Sequence, residues 1–178
     1  MPATPRPCGA LQRGRLSPCR SDPHRSHWHN IRIPALDSGL KAVDTQLEVL
    51  VAATGTTLAG IVGISHLNAA RILGEVGDVR RFRSPAAFAA GNGTAPIPAS
   101  SGRTDRHRLN RGGNRRLNRA LYVIAITQTR HEPRAADYLA RKRAEGKTRR
   151  EALRCLKRRL SDVVYRQLHA DLTVALDT

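Results

Sequence analysis

From Ser38 onward the apolar residues recur at three- and four-residue steps, the period of helices that each bury one face. Leu40, Val43, Leu47 and Leu50 form the seam of a short helix over 37–54, of the coiled-coil kind that wants a partner. Thr54-Gly55-Thr56-Thr57 ends it. The run from Leu58 to Asp78 reads as a short helix, a Gly-centred hairpin at Gly63-Ile64-Ser65 and a second helix through Leu73. Ser84-Pro85 opens a small helix, with serine as N-cap and proline in the first turn. A helix from about Asn114 to Arg130 buries Leu117, Leu121, Ile124 and Ala125. Pro133 starts the next helix and Gly146 stops it. Thr148 and Glu151 have capping-box spacing, and the stripe Leu153, Leu156, Leu160, Val163 or Val164, and Leu168 follows. No segment alternates convincingly enough for a strand. The expected fold is an all-α small helical domain at 55–170 with a helix-hairpin-helix-like element, preceded by the coiled-coil helix and followed by a tail at 171–178.

Residues 1–36 show no period. They hold six of the ten prolines, Cys8, Cys19, three histidines and Trp28, and are expected to be disordered. Their composition resembles translation in a frame not selected for folding, with the change falling near Asp37. Cys8, Cys19, His24, His27 and His29 match no standard zinc-finger spacing, so no metal site is expected. Cys155 lies among apolar helix positions and reads as core. No secretory signal, transmembrane run or disulfide framework is visible, which points to the cytoplasm.

Charge changes the picture most. The chain carries a formal +17, and residues 79–160 alone hold 22 basic and 5 acidic residues. A block this lopsided repels itself unless a polyanion neutralises it, so nucleic acid is the expected partner. A membrane surface is the weaker candidate, because the basic helices lack a Trp/Phe-rich face.

Within this block a Pro-rich turn presents Ser100 and Ser101 beside Gly102. Arg103, Arg106, Arg108 and Arg111 follow, and Gly112-Gly113-Asn114 leads into a helix N-terminus bearing Arg115 and Arg116. A hydroxyl among many cations suits chemistry on a phosphodiester: the cations neutralise phosphate, and the hydroxyl can attack phosphorus once its proton is removed. By itself Ser-Ser-Gly is an ordinary loop former. Gly63 and Ser65 are the candidate phosphate-binding turn of the hairpin, with serine and His66 where such hairpins usually carry glycine and proline. A serine forced to positive φ there would be strained. Glu75 and Asp78 look like a helix terminus rather than a two-metal site.

In combination, the GIG-like hairpin, AARILGEVGDVRRFRSPAAFAAGNGTAPIPASSG, RLNRGGNRRLNRALYVIAI and RKRAEGKTRREALRCLKRRLSDVVYRQL resemble the C-terminal domain of the insertion-sequence one-ten family of transposases, related to the Piv/MooV invertases. The resemblance covers about Asp37 to Leu168. It implies a DNA recombinase of a mobile element, guided by a structured RNA and homo-oligomeric through a coiled coil. In the family an N-terminal RuvC-like domain holds acidic residues that bind Mg²⁺, and a serine of a P…SG motif attacks DNA. Carried over, that serine is Ser101, with Ser100 as second choice. Arg103, Arg111, Asn114 and Arg116 fall at the family's basic, nucleic-acid-facing positions, and Leu40–Leu50 matches the end of its coiled coil.

No strand-borne acidic set precedes Asp37, so the chain resembles a truncated transposase, expected to be inactive alone and to carry no cofactor itself. The alternative is a non-enzymatic DNA- or RNA-binding module with the same basic surface. Translating all frames of the DNA just upstream separates the two. An out-of-frame acidic domain is the expected result, and its absence would favour the stand-alone module.

Overall fold

The computed structural model describes residues 23–99, 107–108 and 110–176, with side chains from Pro34 to Val174. The chain divides into two units, residues 1–40 and 41–178. In the first, the described backbone is helical. The second contains the core.

The six helices are α1 (Pro23–Ala53), α2 (His66–Val76), α3 (Pro85–Gly91), α4 (Arg115–His131), α5 (Pro133–Ala144) and α6 (Arg149–Leu176). Single 3-10 turns lie at Leu58–Gly60 and Val79–Arg81. The all-α expectation holds. It needs one correction: β1 (Ile97–Pro98) pairs antiparallel with β2 (His107–Arg108), placing Ile97 opposite Arg108 and Pro98 opposite His107. Two-residue strands are too short to show alternation, and Pro98 has no N–H to give a ladder.

Two boundaries also differ. Helix α1 begins at Pro23, ahead of the change expected near Asp37. Pro23 suits a first helical turn, and no glycine intervenes before Gly39. Pro34 inside the helix lacks an N–H and would by itself favour a break. Residues 1–22, with Cys8 and Cys19, lie outside the described residues, as do the side chains of His24, His27 and His29. The expected helix at Leu58 is a single 3-10 turn.

The caps form where the spacing predicts. Ser84 Oγ accepts from Ala87 N–H at 3.2 Å, and Pro85 follows in the first turn. Thr148 Oγ1 accepts from Glu151 N–H at 3.3 Å, while Glu151 Oε2 accepts from Thr148 N–H at 2.8 Å. These satisfy N–H groups that a helix start leaves without intrahelical partners.

The core is where α6 meets α3, α4 and α5, and where α2 packs on α4. Leu156, Leu160, Val164 and Leu168 of α6 are buried, as are Leu117, Leu121, Ile124 and Ala125 of α4. So Val164, not Val163, continues the stripe. Phe88 is fully enclosed, with Phe82 edge-on at 5.1 Å and Tyr165 at 5.6 Å. The Tyr165 hydroxyl donates to Phe82 O at 2.9 Å, so the ring packs without orphaning its polar end. Cys155 is half-buried. The Leu40–Leu50 seam packs least: Leu40, Val43 and Leu50 are exposed, and Leu47 is half-buried.

Near the C-terminal end of α6, Asp171 holds the chain that follows α1. Its carboxylate accepts from Thr56 Oγ1 at 2.8 Å, from Thr57 N–H at 3.1 Å and from Thr57 Oγ1. Burial alone would raise its pKa, but the bonds from Thr57 and Thr56 outweigh this and hold it below the ordinary 3.8. The resulting stability is complete above that ordinary value and is lost as pH falls through the lower, folded-state value. Asp171→Asn is expected to cost about 1–2 kcal/mol in urea unfolding at neutral pH, and the difference from wild type should shrink in acid. A pH-independent difference would contradict the charged role.

Candidate nucleic-acid interface

Most of the candidate residues fall between α3 and the start of α4, in a loop whose two ends cross. Gly93, at φ +74°, lies against Gly113 so closely that a Cβ added at Gly113 would stand 2.2 Å from Gly93 N and 2.4 Å from its Cα. Glycine at 113 is what lets the backbones approach this far, and the positive φ favours glycine at 93. Asn114 N–H donates to Gly91 O at 2.7 Å, and Asn110 Nδ2 donates to Ala90 O at 3.2 Å.

A buried polar chain backs the crossing. Asn92 is fully enclosed; its Nδ2 donates to Ser161 Oγ at 2.7 Å, and its Oδ1 accepts from Thr94 N–H at 3.0 Å. The Asn92 carbonyl accepts from Asn118 Nδ2 at 2.9 Å, and Asn118 Oδ1 accepts from Lys157 Nζ at 2.6 Å. α3, α4 and α6 are thereby joined at the base of the loop. Burial, and secondarily the charge of Arg154, pushes the Lys157 pKa down from its ordinary value.

Beyond the crossing the strands β1 and β2 form the stem of the loop. Ser100, Ser101, Arg103 and Arg106 lie outside the described residues. His107, Arg108 and Arg111 are exposed. Asn114 has a capping role: its Oδ1 accepts from Arg116 N–H at 2.9 Å and Leu117 N–H at 3.0 Å, and its Nδ2 donates to Glu75 Oε2 at 2.7 Å. Arg116 Nη1 reaches Glu75 Oε1 at 3.3 Å yet remains largely exposed, and Arg115 is free in solvent. The Asn114 bond, helped by Arg116, holds the Glu75 pKa below its ordinary value. Asp78 caps the second 3-10 turn, accepting from Arg80 N–H at 2.8 Å. Both acids therefore act as terminus residues.

Around the Gly63 hairpin the φ > 0 position is Gly63 itself, at +87°. Ser65 is extended at φ −80° and ψ 166°, so the strain considered for a serine there does not arise. It occupies the N-cap of α2 without a side-chain cap bond. A Cβ on Gly63 would meet Ile124 O at 3.2 Å, and Gln128 Nε2 donates to Val62 O at 2.7 Å, so this turn is seated on α4.

Of the 20 described basic residues between 79 and 160, Arg80, Arg116, Lys142, Lys147 and Arg158 pair with carboxylates. The remaining 15 have no carboxylate partner among the described residues. Among these residues no group of three or more His, Cys, Asp or Glu is placed to hold a metal ion, and no helix is long and apolar enough to cross a membrane.

Fold and charge together define a small all-α domain with a clamped loop and many cations that have no carboxylate partner among the described residues. Residues 55–140 match the model described as the transposase IS116/IS110/IS902 family. It is 35% identical over 150 residues to the insertion element IS110 uncharacterized 43.6 kDa protein of Streptomyces coelicolor, covering 78% of this chain and 37% of that one. It is 38% identical over 93 residues to the insertion element IS900 uncharacterized 42 kDa protein of Mycobacterium paratuberculosis, covering 52% and 23%. Over 107 residues it is 33% identical to the insertion element IS116 uncharacterized 44.8 kDa protein of Streptomyces clavuligerus, covering 60% and 27%. The matches thus span well under half of these curated relatives.

Sequence reasoning passed over Asn92, Asn118, Lys157 and Ser161. The one available signal was an asparagine at the end of an Ala/Gly run, where a helix must stop. Gly113→Ala is expected to lower the melting temperature by several degrees, since a methyl group there collides with main chain rather than with a movable side chain. An unchanged melting temperature would mean that the crossing is looser than 2.2 Å implies.

Proposed function

We propose that this chain binds nucleic acid through the cationic face of residues 79–160 and acts in DNA transposition. The observation that carries the reading is the excess of basic side chains without carboxylate partners, on a chain that matches the transposase IS116/IS110/IS902 family over residues 55–140. Folding gathers this charge at a cost in self-repulsion, which a bound polyanion relieves.

In the recombination step Ser101 is the nucleophile, with Ser100 as second choice. The Ser101 oxygen would attack phosphorus, the sugar oxygen would leave with the electrons of the broken P–O bond, and the serine proton would pass to a base. Arg103, Arg106, Arg108, Arg111, Arg115 and Arg116 would hold the phosphates, and Gly63 and Ser65 would receive a further one at the N-terminus of α2. Asn114 acts through its cap, by fixing the start of α4. The exposed apolar seam of Leu40, Val43 and Leu50 supports assembly with a second copy. A structured guide RNA would use the same cationic face.

Magnesium does not fit the described residues, which offer no ligand cluster. Strand transfer by the purified chain with Mg²⁺ is therefore expected to give no product unless acidic ligands come from elsewhere. Product from the chain alone would refute this.

Two further outcomes are expected. If roughly 6 to 10 phosphates are contacted, duplex affinity measured by fluorescence anisotropy should fall by about 10³ or more between low and moderate salt. A flat response would contradict the electrostatic reading. In a complemented system Ser101→Ala should abolish recombination while leaving binding unchanged; undiminished recombination would reduce the chain to a binding module.

A further inference from the structure

This is a chain poor in aromatics, with three tyrosines, two phenylalanines and one tryptophan. Phe88 and Tyr165 are buried in the core, and Phe82 and Tyr138 are half-buried. Tyr122 alone among the described aromatic side chains is exposed, at 44%, on a helix whose opposite face is fully packed. An exposed tyrosine is unremarkable on most surfaces, but its neighbours here are cations.

Lys157 Nζ stands 5.8 Å from the Tyr122 ring centroid, within reach of its π-face. Lys157 is 7% exposed as a residue, and its ammonium donates to Asn118 Oδ1 at 2.6 Å and has no carboxylate partner among the described residues. The side chain is therefore held beneath the ring by the same polar chain that closes the loop. Arg115 and Arg119, seven and three residues before Tyr122, share its face of α4 and are exposed. Arg154, one turn before Lys157 on α6, is exposed too, and its charge is felt at Lys157.

From this arrangement we infer that Tyr122 is a stacking platform for an unpaired nucleic-acid base, with Lys157 fixing one side of the ring and Arg115, Arg119 and Arg154 receiving the flanking phosphates. A base offers a flat π-face to an exposed ring, and successive phosphates need cations on both sides of it. In a paired duplex the base faces are already stacked, so the platform distinguishes single-stranded segments from duplex. DNA and RNA share this chemistry. The inference rests on the nucleic-acid reading above and adds to it the form of nucleic acid taken by the α4–α6 face.

The test uses the full chain and fluorescence anisotropy at one fixed salt concentration. The probes are labelled oligothymidylate of about twelve nucleotides, oligouridylate of the same length, an abasic strand of equal charge and a duplex. Oligothymidylate or oligouridylate should bind about tenfold or more tightly than the abasic strand. Tyr122→Ala should erase that margin without changing abasic or duplex affinity, and Tyr122→Phe should keep it. A preference between the first two probes tells whether DNA or RNA is the better occupant. Equal affinity for abasic and base-bearing strands, or a margin that survives Tyr122→Ala, overturns the platform while leaving the electrostatic reading intact. Failure of every probe to bind would overturn both. Tyr122 lies on the surface, and circular dichroism of each variant checks that α4 is preserved.

Discussion

The contact between Gly93 and Gly113 is the constraint on which the working surface depends. Two backbone segments cross there with no side chain between them, which fixes where the loop leaves α3 and where it re-enters α4. Such an approach leaves main-chain groups unhydrated, and the structure answers with direct bonds: Asn114 N–H to Gly91 O, Asn118 Nδ2 to Asn92 O, and Asn92 Nδ2 to Ser161 Oγ. A buried polar chain of this sort stabilises only when its members are satisfied, and here each asparagine uses both ends of its amide. Lys157 completes the chain at the expense of burying a charge, with a neutral amide oxygen rather than a carboxylate as its partner.

The crossing also links packing to electrostatics. It sets the start of α4, and α4 carries Arg115, Arg116, Arg119 and Tyr122 on its outer side while Leu117, Leu121 and Ile124 face the core. α6 repeats the division, with Leu156, Leu160 and Val164 inward and Arg154 outward. Exposed cations and buried apolar residues share α4 and α6, so charge and fold cannot be varied independently. The match to the transposase IS116/IS110/IS902 family runs over residues 55–140, and the crossing lies within that span.

Much of this was legible in the sequence where a repeat or a cap declared it. Leu117, Leu121 and Ile124 announced α4, Ser84-Pro85 announced α3, and Thr148 with Glu151 announced the start of α6, because each pattern is local. The two-residue strands carry no period, and Asn92 meets Ser161 across 69 positions, so neither could be read from spacing. Asn114 illustrates a subtler gap. Its place beside arginines suggested phosphate contact, and spacing alone did not show that its amide also caps α4 and meets Glu75. Composition marked a change near Asp37, whereas α1 begins at Pro23 and carries Pro34 inside it. The hairpin glycine was legible as a special position, but its reason, the seat on α4 at Ile124 and Gln128, is tertiary.

Amide hydrogen exchange of the free chain tests the central claim most directly. The N–H groups of Ala95, bonded to Ala89 O, and of Asn114, bonded to Gly91 O, lie on the two sides of the crossing. If the crossing is part of the cooperative core, both exchange as slowly as the middle of α4, by global unfolding alone. If both exchange rapidly while α4 stays protected, the loop ends are independent of the core, and the account of how this surface is built is wrong.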